Sequence, residues 1–155
     1  MQEILTAIEP ISLKACGIAF ICGFLIGLER QLHGKPAGIR TSILICLGAY
    51  SFVVLASHFR QGDDSMRVLG QVVTGVGFLG AGVMMSRNGA VYGVTSAAVI
   101  WILAAIGCLI GFEKYYAAIA ISLITLFSLL GINYLERIFK KLRRGVHREP
   151  EDQNE

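Results

Sequence analysis

Five long apolar stretches, separated by short polar joints, occupy almost the whole chain. They run over residues 11–28, 41–59, 68–85, 90–112 and 115–135. A hydrocarbon core of about 30 Å requires roughly 20 helical residues, with a range of about 17–25, and each stretch fits that range. Backbone groups cannot stay unpaired in lipid, and the stretches lack the polar/apolar alternation of barrel strands. The predicted fold is therefore all-α: a polytopic membrane protein with about five transmembrane helices packed as a glycine-rich bundle.

The composition agrees with a membrane protein. Of the 155 residues, 54% are hydrophobic and 16% are charged, whereas a soluble domain has about 25% charged residues. Residues 1–10 contain two acids and no basic segment, so the first helix is predicted to be a permanent span rather than a signal peptide. The chain thus divides into a transmembrane domain over 1–135 and a cytoplasmic tail over 136–155, which is basic and amphipathic first and acidic at its end.

The basic residues predict the orientation. One side of the membrane would hold ten of the 14 Lys and Arg: three in the joint 29–40, Arg87, and six in the tail. The other side would hold Lys14, Arg60, Arg67 and Lys114. Cytoplasmic loops carry the excess of basic residues. The N-terminus is therefore predicted to lie outside and the C-terminus in the cytoplasm of a bacterial inner membrane.

Two rows of small residues suggest close helix packing. Ala19, Gly23 and Gly27 lie on one face of the first helix. Small residues allow helix backbones to approach each other in lipid, so this row is predicted to be exposed and to mediate a homo-oligomer. The alternative is that the row is a contact inside the chain. In the third helix, Gly75 and Gly82 share one face, and a second face carries glycine and alanine. That density predicts a helix packed on several sides, at the centre of the bundle.

The joint between the first two helices concentrates charge. Glu29 and Arg30 close the first helix, and Arg40 precedes the second. A cation at a helix N-terminus opposes the helix dipole, so Arg40 is predicted to pair with Glu29 and to close the joint. The alternative is that these charges extend separately to water.

A parallel internal repeat is also predicted, with an axis along the membrane normal. Glycines 27, 34 and 38 recur 55 positions later as 82, 89 and 93, and Thr41-Ser42 recurs as Thr95-Ser96 with one residue deleted. Chance matches among 18 glycines are the alternative. The hydroxyls of Thr74, Thr95 and Ser96 either line a small polar cavity or bond to the carbonyl four residues earlier in their own helix.

The sequence offers little for catalysis or cofactor binding. The four cysteines fall inside the spans without C-x-x-C spacing and are predicted to pack as small apolar residues. The three histidines are far apart, and no nucleophile–base pattern is visible. The protein is therefore predicted to be no enzyme and to hold no metal or cofactor. Its basic residues sit beside helix ends, so no nucleic-acid partner is expected.

Four motifs together resemble the MgtC/SapB family of bacterial inner-membrane proteins. They are Gly-Leu-Glu-Arg (27–30), Ala-Gly-Ile-Arg-Thr (37–41), Gly-Phe-Leu-Gly-Ala-Gly (77–82), and Thr-Ser-Ala-Ala (95–98) followed by Trp101. The resemblance implies a five-helix membrane domain and a link to growth under magnesium limitation. It also implies action by binding other membrane proteins, ATP synthase among them, rather than by carrying magnesium. The chain looks like the short, SapB/YhiD-like members that have the membrane domain alone.

The same resemblance supplies the candidate functional residues. They are Glu29, Arg30, Arg40, Thr41, Gly77, Gly80, Gly82, Thr95, Ser96 and Trp101. The expected function is a non-enzymatic stress-adaptation protein that acts by contacts with itself and with other membrane proteins. The alternative is a small-solute or ion transporter or channel subunit. A conduit requires a continuous polar path across the bilayer, whereas the polar groups here lie mainly in the cytoplasmic half.

Overall fold

The computed structural model describes residues 9–59, 64–87 and 90–138. Its five helices are α1 (Leu13–Leu32), α2 (Ile39–Phe59), α3 (Asp64–Gly82), α4 (Val94–Gly111) and α5 (Tyr115–Ile138). This confirms the all-α membrane fold and the number of helices. Within the described residues, Leu13–Leu32, Ile39–His58 and Val94–Gly111 are long and apolar enough to cross a membrane, and Tyr115–Gly131 is a shorter apolar helix. The predicted tail beyond residue 138 lies outside the described residues.

A short β-hairpin separates α3 from α4, where the sequence predicted continuous helix from residue 90. Strands β1 (Met85–Arg87) and β2 (Ala90–Tyr92) pair antiparallel, with Arg87 opposite Ala90. Gly93 then adopts a φ of +86°, and a Cβ there would collide with the Val83 carbonyl oxygen. The sequence signal for this hairpin is Asn88-Gly89, the pair most typical of two-residue hairpin turns.

Helices α1, α2 and α4 form the core of the bundle. Gly107 and Gly111 of α4 lie directly against α2: a Cβ on Gly107 would meet the Cys46 carbonyl oxygen, and one on Gly111 would lie 2.7 Å from the Val53 side chain. The largest fully buried apolar side chains come from these three helices and are Tyr50, Ile26, Ile100, Leu103, Ile106, Ile110 and Val53. Cys22, Cys46 and Cys108 are buried and free, as predicted for packing residues.

The small-residue row on α1 packs inside the chain and is not an exposed surface. A Cβ on Gly23 would lie 2.8 Å from the Ile43 Cα, and one on Gly27 would lie 2.7 Å from the Ile39 Cα. Ala19 is fully buried. The prediction that this row mediates self-association is therefore wrong, because α2 already occupies it.

Helix α3 lies at the edge of the bundle, which corrects the prediction that it is central. An added Cβ would meet nothing within 4 Å at Gly75, Gly77 or Gly82, while one on Gly80 would contact Ala97 of α4. The buried residues of α3 form one narrow stripe that includes Val72 and Val76. Gly75, Gly77 and Gly82 of α3 therefore face outward, whereas Gly80 packs against α4.

Candidate functional site

A buried polar cluster joins the end of α1 to the beginning of α4. Glu29 and Arg30 are each 4% exposed, and Ser96 is 2% exposed. The Arg30 Nη2 donates a hydrogen bond of 2.7 Å to the Ser96 Oγ, across 66 residues of sequence. Arg30 lies in the last turn of α1, where the helix dipole favours a cation. The contact ties the first joint to α4 at one end of the bundle.

Glu29 is the less satisfied member of this cluster. Its Oε2 lies 4.0 Å from the Arg30 Nη1, and its Oε1 lies 3.1 Å from the His33 Nδ1. The His33 Nδ1 hydrogen-bonds instead to the Glu29 backbone carbonyl, at 2.9 Å. Among the described residues, neither carboxylate oxygen of Glu29 therefore receives a hydrogen bond, and the Arg30 Nε donates none. Such atoms are rare in protein interiors, and burying charge is costly. The cluster therefore places unused hydrogen-bonding capacity inside the protein.

The predicted pair between Glu29 and Arg40 is wrong. Arg40 is exposed, and within the described residues the Glu29 carboxylate lies against Arg30 and His33 instead. The joint is closed instead by Gln31, whose Oε1 accepts a 3.3 Å hydrogen bond from the Ile39 N–H at the start of α2. An uncharged acceptor thus serves the helix N-terminus, and Arg40 extends to solvent.

The backbone of the joint supports the cluster. Gly34 and Ala37 have positive φ values of 60° and 62°, and the Lys35 N–H donates to the Arg30 carbonyl at 2.9 Å. Ser42, which is fully buried, donates from its Oγ to the Ala37 carbonyl at 3.2 Å. These bonds hold the chain in a tight turn after α1, in which Glu29 and Arg30 are buried while Gln31 and Leu32 are exposed.

A shallow groove between α3 and α4 holds another set of predicted residues. Gly77 and Gly80 of α3 and Trp101 of α4 line it, and its volume is about 290 Å³. The Trp101 side chain is 52% exposed. The groove therefore presents an aromatic ring beside small residues on the outer surface of the bundle.

The ten residues predicted from the family motifs fall into separate places. Glu29, Arg30 and Ser96 meet in the buried cluster, and Gly77, Gly80 and Trp101 meet in the α3–α4 groove. Thr41 lines a different groove, between α2 and α3. The remaining three are exposed and join neither set: Arg40, Gly82 and Thr95. The sequence prediction thus grouped a buried polar cluster, residues of two outer grooves and three further exposed residues as one site.

Sequence reasoning missed His33 as a neighbour of Glu29, and it missed the buried position of Ser42 in the joint. His33 follows Glu29 at i+4, the spacing that brings side chains together on a helix. The signal for Ser42 was its place in the Thr-Ser repeat, since Ser42 and Ser96 are both buried near the beginnings of α2 and α4. Thr74 was one of the three hydroxyl residues predicted either to line a polar cavity or to bond within its own helix. Its Oγ1 donates to the Gly70 carbonyl, four residues earlier, at 2.9 Å, as the second alternative predicted.

Comparison with known proteins places the chain in a family. The sequence model of the MgtC family matches residues 16–138. The chain belongs to the MgtC family. This confirms the resemblance carried by the four motifs. Together with the apolar helices, membership identifies the chain as a bacterial membrane protein.

Named relatives are similar over most of this chain. It is 42% identical over 137 residues to the Escherichia coli (strain K12) protein named "Putative magnesium transporter YhiD", covering 83% of this chain and 62% of that protein. Protein MgtC of Brucella abortus is 39% identical over 83% of this chain and 55% of its own length. Protein SapB of Bacillus subtilis is 35% identical over 87% of this chain and 61% of its own length. The chain therefore spans less than two thirds of these relatives. No solved structure matches it.

Proposed function

We propose that the chain is a non-enzymatic inner-membrane protein of stress adaptation, active when magnesium is scarce, and that it acts by binding other membrane proteins. The observation that supports this mode of action is the contrast between its interior and its surface. Apolar side chains fill the middle of the α1–α2–α4 core, whereas the motif residues Gly77 and Trp101 line a groove on the outside. Small residues beside an exposed aromatic ring suit the close approach of a foreign helix.

The interior gives little support to conduction through a single chain. Among the described residues, the buried charged and serine side chains of the core helices gather at one end, in Glu29, Arg30, Ser42 and Ser96. Toward the other end, the buried Tyr50 hydroxyl accepts a hydrogen bond from the Ser12 N–H. Farther along the bundle the buried residues include Leu103, Ile106 and Val53. A conduit requires polar groups along its whole length. Contacts made in the plane of the membrane therefore account for the motif residues better than transport does.

A growth experiment tests the proposal. A strain lacking the gene should grow poorly at limiting magnesium, and the wild-type chain should restore growth. Gly77→Leu should restore little of it, because the leucine side chain would occupy the α3–α4 groove, while its Cβ meets nothing within 4 Å in the chain's own fold. Gly17→Leu on α1 is the control, since that glycine is also exposed and open. Full rescue by Gly77→Leu would refute a role for the groove.

Magnesium transport is the alternative function. The name of the relative YhiD, which refers to magnesium transport, favours it, and so does the Glu29 carboxylate, whose oxygens receive no hydrogen bond from described residues. Carboxylate oxygens are ligands that Mg²⁺ prefers, although Arg30 beside Glu29 opposes a cation there. Liposomes containing the purified protein and a magnesium-sensitive dye separate the two functions. We expect no flux above protein-free liposomes; flux that Glu29→Gln abolishes would establish the transporter instead.

The proposed topology can be tested by cysteine labelling. In a background with the four native cysteines replaced by alanine, Glu113→Cys should react with an impermeant reagent in intact cells, whereas Lys35→Cys should react only after the cells are opened. Both positions are exposed, in joints at opposite ends of the bundle. The reverse labelling pattern would place the N-terminus in the cytoplasm.

A further inference from the structure

A second groove runs between α2 and α3 on the outside of the bundle. Its volume is about 580 Å³, and its walls are almost entirely apolar. Helix α2 contributes Gly48 and Phe52, and helix α3 contributes Gln71, Gly75 and Leu79. The two glycines leave open space, since a Cβ on either would meet nothing within 4 Å. A helix could therefore approach the groove closely.

Gln71 is the exception to the apolar lining. It lies seven residues after the beginning of α3 at Asp64, and Phe52 on the opposite wall lies seven residues before the end of α2 at Phe59. At 1.5 Å per residue, Gln71 is about 10 Å from the end of the helix pair. That depth corresponds to the part of α2 that is long and apolar enough to span a membrane. Among the described helices, α3 is not one that meets this criterion by itself. Packed beside α2 at this depth, its Gln71 amide would face hydrocarbon.

The amide of Gln71 requires a partner from outside this chain. The side chain is exposed, and it accepts or donates no hydrogen bond among the described residues. A polar group without a partner in hydrocarbon costs several kcal/mol. A lipid acyl chain would fill the groove but offers neither donor nor acceptor.

A second copy of the chain supplies the complementary group. A glutamine amide is both donor and acceptor, so two of them satisfy each other reciprocally. Two copies inserted in the same orientation are related by an axis along the membrane normal, which places their Gln71 side chains at the same depth. A twofold interface uses the same patch on both subunits, and this patch is electrostatically complementary to itself. Gly48 and Gly75 allow the backbones to approach.

We propose that the α2–α3 groove is the interface of a symmetric homodimer, in which the Gln71 side chains of two copies hydrogen-bond across the axis. This inference deepens the proposed function, since it names a second copy as the occupant of one outer groove and leaves the α3–α4 groove to other membrane proteins.

Dilution in lipid tests the dimer. The full chain, reconstituted into vesicles at decreasing protein-to-lipid ratios, is scored for monomers and dimers by subunit counting. Gly75→Leu should weaken the dimer at least tenfold, because the leucine fills the groove. Gly77→Leu should leave the dimer unchanged; it is the matched control on the other face of the same helix, with equally open space around it. Gln71→Leu should weaken the dimer roughly three- to thirty-fold, the range of interhelical hydrogen bonds in membranes.

The outcomes decide between this interface and others. A wild-type chain that stays monomeric at every ratio overturns the proposal, as does dissociation by Gly77→Leu with no effect of Gly75→Leu. If Gly75→Leu does not fold, Gln71→Leu still tests the interface, because leucine is no larger than the glutamine that it replaces. The growth assay is read separately. If the dimer forms as expected but Gly77→Leu still rescues growth, the proposed function alone is refuted. If Gly77→Leu fails to rescue growth but the wild-type chain stays monomeric, the dimer alone is refuted.

Discussion

Replacing Arg30 by alanine is expected to lower the free energy of unfolding by about 3–5 kcal/mol, the usual cost of removing one partner from a buried charge pair. Arg30 is 4% exposed, and its guanidinium is the buried cation beside Glu29. Its removal also breaks the 2.7 Å hydrogen bond to Ser96, which joins α1 to α4. Unfolding of the purified protein in mild detergent measures the loss.

Arg40→Ala is the matched control for this effect. Arg40 is exposed, and exposed charges away from special contacts change stability by about 0.5 kcal/mol or less. The double variant Glu29→Ala/Arg30→Ala should be less destabilised than the sum of its single variants, because neither charge is then left alone. If Arg30→Ala and Arg40→Ala lowered the free energy of unfolding equally, Arg30 would be solvated and the cluster would not be buried.

Replacing Gly23 by alanine should lower the free energy of unfolding by about 1–3 kcal/mol, the usual range for overpacking a filled interior. The added methyl would lie 2.8 Å from the Ile43 Cα and 2.9 Å from the Ser42 carbonyl oxygen. Both contacts are with backbone, so relief requires α1 and α2 to move apart. The same detergent unfolding measurement applies.

Gly17→Ala is the control on the same helix. Nothing lies within 4 Å of a Cβ at Gly17, and alanine has the better helix propensity by about 1 kcal/mol in water. This variant should therefore be as stable as the wild type or more so. If Gly23→Ala behaved in the same way, the small-residue row of α1 would not be in contact with α2, and self-association through that row would again be the better interpretation.

The length and order of the helices could be predicted from the sequence because the bilayer imposes one requirement on every segment. Apolar runs of about 20 residues have to pair their own backbone groups, and the helix is the way to do so. Helices α1, α2 and α5 accordingly begin within two residues of the predicted stretches. Family membership was equally accessible, since it depends on local motifs such as Gly-Leu-Glu-Arg at 27–30.

The partners of particular residues could not be predicted in this way. A glycine row looks the same whether it packs on a helix of its own chain, as Gly23 does against Ile43, or faces outward, as Gly75 does. Sequence periodicity gives the face of a helix but not what covers it. The helix-dipole argument likewise identified Arg40 as needing an anion, yet Arg40 extends to solvent and Gln31 closes the joint.

The sequence by itself determined the membrane class, the number of helices and the family, because these follow from local composition and spacing. Only the tertiary structure decided that Arg30 reaches Ser96 across 66 residues. It also decided that Gly77 and Trp101 share a groove and that α3 lies at the edge with Gln71 exposed. The physical reason is that lipid provides no hydrophobic force between helices. Their arrangement therefore depends on small-residue contacts and hydrogen bonds between distant residues.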